Sequence, residues 1–175
     1  MNIPDAAETL RAQLASRLAV DQDGVIEMLA REHGVTVLDA TRMLPQANCR
    51  WAPAAAFNDV FAELTAWGEV LFLVHTPNII LECVGPVPRG TTARGYFNLG
   101  GKGPIGGHVK AERCAAIAFV RRPFMGLDSC SIQFFDVDGD AMFKIFVRRD
   151  GDHTLDKDQV AAFEALARRI ARVKS

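Results

Sequence analysis

Residues 69–85 read EVLFLVHTPNIILECVG, and the alternation in this stretch decides the fold. Successive side chains of a strand point to opposite faces, so Leu71, Leu73 and His75 share one face of a first strand. The Pro77–Asn78 pair makes a tight connection, and IILECVG supplies a second strand running back. Before Glu69 the apolar period is helical. After Gly85 the strand pattern returns and holds to about residue 150.

Working upstream, residues 5–20 place Leu10, Leu14, Ala15 and Leu18 on one stripe at helical spacing. Asp23 is placed to cap a second helix over 24–33, with Val25, Met28 and Leu29 inward and Gly34 as its terminator. A third helix over 37–44 stops at Pro45, and a loop holds Trp51 and Pro53. Residues 54–67 form a fourth, with Phe57, Val60, Phe61 and Leu64 on its apolar side. Downstream, GPVPRGTT reads as a turn region, followed by ARGYFNL and HVKAE as extended segments. CAAIAFVRR, SCSIQFFDV and AMFKIFVRR are three more strands, the last two joined by an Asp138–Gly139 hairpin signal. The chain closes on an amphipathic helix, with Arg168, Arg169, Arg172 and Lys174 complementing its C-terminal dipole. Helices, then adjacent antiparallel strands, then a helix define an α+β class. The expectation is one domain over 1–175: 1–68 mainly helical, 69–150 a large antiparallel sheet, 155–173 a C-terminal helix.

At 175 residues and 49% hydrophobic, the chain can bury one substantial core. Its net charge of −1 is unevenly spread: residues 83–127 carry seven Lys/Arg against the single acid Glu112. Four cysteines (Cys49, Cys83, Cys114, Cys130) include no C-x-x-C pair, which removes the usual basis of a zinc or iron–sulfur site. The first residues lack an apolar signal core and no run approaches a bilayer-spanning length. A cytoplasmic protein without membrane or nucleic-acid partners is expected.

Six of the 14 glycines lie between Gly95 and Gly107, next to His108 and the only Tyr, Tyr96. A basic, backbone-rich concavity beside an imidazole suits a flat anion that also needs a nitrogen donor, and haem has that chemistry. His75 sits in an apolar strand, where its ring nitrogens need partners; a carbonyl, Thr76 or a ligand can supply them. His33 and His153 carry no such argument. Asp136-x-Asp138-x-Asp140 fails as a calcium loop, because Ala141 and Val147 stand where Gly and Glu are required. Gly100-Gly101-Lys102-Gly103 continues into Pro104, without the Ser/Thr and helix of a P-loop. There is no G-x-S-x-G and no C-x-x-C-H, so any haem is held non-covalently. Residues 25–44 have a helix-turn-helix shape but too few cations to hold phosphates.

The ordered set VHTPNIILECVGPVPRG, RGYFNLGGKG, GGHVKAERC, FMGLDSCSIQFF and AMFKIFVRRD resembles the cytosolic haem-utilisation carrier family of the HutX/ChuX type. The resemblance implies a fold like one half of the duplicated haemin-degrading proteins (HemS/ChuS type), and homodimers that reproduce the two-half arrangement. It places the haem-associated histidines on His75 and His108, either or both on iron, with Tyr96 as a rival ligand. Arg94, Lys102, Lys110 and Arg113 are then candidate partners for the propionates of b-type haem, and Leu73, Ile79, Leu81, Phe97 and Met125 candidates for its apolar bed. The function implied is an intracellular carrier that binds haem and passes it to a haem-degrading or iron-releasing enzyme. The alternatives are an enzyme that degrades bound haem itself, and a haem-responsive DNA-binding regulator.

Overall fold

The computed structural model of the chain describes residues 5–171. Three helices open it: α1 (Ala6–Val20), α2 (Ile26–Glu32) and α3 (Val37–Arg42). Strand β1 (Cys49–Pro53) and helix α4 (Phe57–Leu64) follow, then β2 (Glu69–His75), β3 (Ile80–Pro86), β4 (Gly90–Ala93), β5 (Tyr96–Leu99) and β6 (Gly107–Val109). Strands β7 (Cys114–Phe124), β8 (Leu127–Asp136) and β9 (Ala141–Phe146) precede the last helix, α5 (Lys157–Ile170). The α+β class stands. The strands form two antiparallel sheets instead of one, a six-stranded sheet in the order β1-β7-β8-β9-β2-β3 and a three-stranded sheet β4-β5-β6.

The residue period explains the layering. On β7, Ile117 and Phe119 face a cluster built with α4 and α5, while Ala116, Ala118 and Val120 face a second cluster built with α1–α3. The first cluster is aromatic: Phe57 and Phe61 of α4 meet Phe134 and Phe143, whose rings stack with centroids 4.4 Å apart. Full burial of each such ring is worth about 1.5–3 kcal/mol. The three-stranded sheet adds Phe97 and Leu99 to the same side. On the other side, small β7 residues let α1–α3 approach closely. Those helices cover only that end of the sheet, so the same face of β8, β9 and β2 is left to form a cleft beside them.

Several expectations change. Leu14 and Leu18 are buried but Leu10 is exposed, and on α2 Ile26 turns inward while Met28 is half-exposed. Asp23 does not cap α2, whose N-cap is Val25. Trp51–Pro53, expected in a loop, lies in edge strand β1, where a proline costs no ladder bond. β4 arises within the expected GPVPRGTT turn. There Gly90 permits a close approach, since a Cβ on it would lie 2.0 Å from the Phe97 ring. The Asp136 loop is a charged turn, its carboxylate accepting from the Asp138 and Asp140 N–H groups. Among the described residues no acidic, His or Cys cluster could hold a metal ion, and no helix is long and apolar enough to cross a membrane. The expected helical residues Arg172, Val173 and Lys174 lie outside the described residues.

Candidate functional site

The cleft has a cavity of about 300 Å³, at the small end of ligand-site volumes. Its floor is the polar parity of the sheet: Ser129, Ser131 and Gln133 of β8 and Lys144 of β9 are buried, and their neighbours Cys130, Ile132 and Phe134 point to the aromatic core. Leu71, Leu73 and His75 of β2 form one wall, and Val25 and Glu27 at the start of α2 form the other. A second depression of about 300 Å³, reaching toward α3, shares Glu27 and His75 with the first. His75 therefore stands on the divide between two concavities.

Glu27 organises this divide. Its Oε1 lies 2.5 Å from Lys144 Nζ and its Oε2 lies 3.5 Å from His75 Nδ1. Burial pushes the Glu27 carboxyl up, but the Lys144 charge and hydrogen bond, with a further contribution from His75, outweigh it and hold the group below its ordinary range. Burial lowers the Lys144 ammonium against the pull of Glu27. An anion facing Nδ1 leaves Nε2 as the imidazole nitrogen available to a ligand.

The mouth is fixed by reciprocal bonds between the α1–α2 loop and the β7–β8 hairpin. Asp23 accepts from the backbone N–H groups of Met125 (2.7 Å) and Gly126 (2.8 Å). Arg122 donates to the carbonyls of Gln22 (2.6 Å) and Gly24 (2.8 Å). Met125 and Gly126 both have positive φ, as a two-residue hairpin turn of this kind requires.

His108 belongs to a different surface. It pairs across the β5–β6 ladder with Asn98, and its Nδ1 lies 2.7 Å from Asn98 Oδ1. The Tyr96 ring stands edge-on to it with centroids 5.9 Å apart, and Lys110 Nζ lies 4.9 Å above the Tyr96 ring. Three sequence candidates, Tyr96, His108 and Lys110, are thus brought together. The groove beside His108 is lined by Phe72 and Val74, which alternate along β2 with Leu71, Leu73 and His75 of the cleft. The two histidines of one chain lie on opposite faces of β2.

The remaining candidates scatter. Arg94 occupies the β4–β5 turn with φ 55°, and Lys102 lies exposed in the loop between β5 and β6. Arg113 is paired with Asp138 and lines neither the cleft nor the groove. Of the proposed apolar bed only Leu73 lines the cleft; Phe97 is in the aromatic core, Ile79 and Leu81 are exposed, and Met125 projects from the hairpin tip. The cations that do line the cleft are Arg122, Lys144, Arg148 and Arg149. A lone lysine inside AMFKIF and the alternation in SCSIQFF were the signals for the cleft floor; Glu27 carried none. On the DNA-binding question, Arg42 of α3 lies 5.7 Å over the Trp51 ring, and Asp39 pairs with Arg11 and Arg42. These helices are engaged in packing.

The family profile described as Haem utilisation ChuX/HutX matches residues 50–166. The chain belongs to the ChuX/HutX family. Within that family, the intracellular heme transport protein HutX of Vibrio cholerae serotype O1 is 33% identical over 160 residues, 91% of this chain and 83% of HutX. The structure of the heme binding protein ChuX superposes with a TM-score of 0.82 at 41% identity, covering 89% of this chain and 97% of that one. PhuS, a heme-binding protein from Pseudomonas aeruginosa, shares the fold at 20% identity and a TM-score of 0.68; the match covers 94% of this chain but 48% of PhuS. This ChuX/HutX chain therefore has the architecture of one half of the larger protein.

Proposed function

We propose that this ChuX/HutX-family chain is an intracellular carrier that holds b-type haem non-covalently in the His75 cleft and passes it to a haem-degrading or iron-releasing enzyme. One observation carries the reading: His75 stands in the cleft wall with Nδ1 turned to buried Glu27 and Nε2 left to act as a donor. Leu71, Leu73, Ile80 and Phe124 offer the macrocycle an apolar bed. At ~25 cal/mol per Å², burying a few hundred Å² of ring contributes several kcal/mol before any bond to iron. Arg148 and Arg149 line the same cleft and suit the propionates; Lys110 belongs to the His108 side. A site with one imidazole, open along one side, also suits a protein that must release what it binds.

The carrier acts as a homodimer in this reading. Edge strand β3 leaves Ile80, Leu81 and Val84 exposed on an unpaired ladder, a surface that a second copy can cover. Because the two imidazoles of one chain lie on opposite faces of β2, an iron bound by both His75 and His108 is bound between two copies. The intracellular placement follows the Vibrio cholerae relative, described as an intracellular heme transport protein.

The test is to incubate the haem complex with an electron donor and then with apomyoglobin as acceptor. A carrier keeps its Soret band under reduction and yields the haem intact to the acceptor. Loss of the Soret band with stoichiometric iron release would replace the carrier reading with haem degradation.

A further inference from the structure

The Asn98 side chain is held in one orientation by its surroundings. Its Nδ2 lies 3.1 Å from the Thr91 carbonyl, 3.2 Å from the Ala93 carbonyl and 3.1 Å from the Tyr96 carbonyl. Three acceptors around one end of an amide require the NH₂ there; turning the amide over would set its oxygen against three carbonyl oxygens. The other end must be Oδ1, which can only accept. The atom 2.7 Å from it is His108 Nδ1, so Nδ1 must carry a hydrogen. A neutral imidazole has one N–H, and Nε2 is left with its lone pair.

We propose that Asn98 is the positioning residue of His108: it fixes the imidazole as the Nδ1–H tautomer and so presets Nε2 as a donor to haem iron. The second half of this statement rests on the haem reading above; the tautomer does not. The local fold supplies the device. Arg94 and Gly95 both have positive φ and close the β4–β5 hairpin in two residues, which gathers the three carbonyls around one amide. The β5–β6 register then places His108 directly across from Asn98. An imidazole free in water prefers the opposite tautomer, with hydrogen on Nε2 and no lone pair there for a metal. The His75 ring has a carboxylate oxygen of Glu27 3.5 Å from its Nδ1, where His108 has an amide oxygen at 2.7 Å. Fixing the unbound nitrogen of a metal-binding imidazole is typically worth about 10–100-fold in affinity.

The experiment begins with the ligand-free protein, labelled with ¹⁵N and held in mildly alkaline buffer where imidazole is neutral. Long-range ¹H–¹⁵N correlation reads which ring nitrogen of His108 bears hydrogen. Wild type is expected to show Nδ1–H, and Asn98→Ala to move the population toward Nε2–H. Asn98→Asp keeps the acceptor while losing the Nδ2 donors, so it is expected to retain Nδ1–H even where the hairpin loosens. A wild-type Nε2–H pattern, or an Asn98→Ala pattern identical to wild type, overturns the proposal. Haemin titration of the same proteins supplies the second arm, with Asn98→Ala expected to weaken binding toward the level of His108→Ala. If His108→Ala weakens binding and Asn98→Ala does not, the positioning role is overturned. If His108→Ala titrates as wild type, the haem role of His108 is overturned and the tautomer assignment stands on its spectrum.

Discussion

Lys144 of β9 places its Nζ 2.5 Å from Glu27 Oε1 of α2, and both side chains are buried. The pair ties the helical layer to the cleft floor and holds the carboxylate that faces His75. Removing one partner strands the other charge in a low-dielectric site, which typically costs about 3–5 kcal/mol. Lys144→Met should therefore be strongly destabilising in urea unfolding. Lys144→Met combined with Glu27→Leu should recover most of the loss, because no charge is then stranded. Equal stability for the single and double variants would contradict the pairing.

Asp23 predicts an acid dependence. The Gly126 N–H lowers its carboxyl most; partial burial opposes this, and the Gly24 and Met125 N–H groups and Arg122 lower it further, so the net shift is below the ordinary value of 3.8. A carboxylate depressed in the folded state stabilises the fold above its unfolded pKa, and that contribution disappears as pH falls through the folded value. Asp23→Asn should cost about 1 kcal/mol at neutral pH and flatten the decline of stability in acid. Urea midpoints of both proteins measured from neutral pH downward should converge; parallel curves would contradict the linkage.

Phe57, Val60, Phe61 and Leu64 could be read because one helical stripe meets one core. β1 could not, because a five-residue edge strand ending in proline has no period of its own and exists only through pairing with β7. Ser129, Ser131 and Gln133 alternate along β8 with core residues, and they are buried because the helical layer overhangs them. The parity of β2 was legible at His75. The position of His108 was not, since the three-stranded sheet docks by tertiary contacts that put it behind the same strand. For the same reason the basic run of residues 89–113 did not reach the cleft, whose cations come from β7, β9 and the segment after it.

Gly90 tests the docking of that smaller sheet. A methyl group there would meet the Phe97 ring at 2.0 Å, and that ring packs edge-on against Phe57 and Phe61. Gly90→Ala should destabilise by about 1–3 kcal/mol, visible as a lower midpoint in thermal or urea unfolding. A midpoint equal to wild type would mean that Phe97 can leave its place against Phe57 and Phe61.

The cysteines provide a chemical probe of burial. Burial pushes the Cys130 thiol up to about 12 and the Cys114 thiol up to about 11, while Cys83 is only half-buried. Thiolate is the reactive form, so Cys83 should react with a thiol reagent at neutral pH well before Cys114 and Cys130. Those two should react only on unfolding. Prompt reaction of either in the native protein would contradict the packing of β7 and β8.

The most direct test of the account is a haemin titration, followed by absorption, of wild type and His75→Ala. Wild type should give a saturable, stoichiometric Soret band. His75→Ala should bind at least about tenfold more weakly, the scale set by losing one charge-oriented ligand, and show a displaced Soret maximum. A His75→Ala protein with wild-type affinity and an unchanged spectrum would contradict the assignment of the cleft as the haem site.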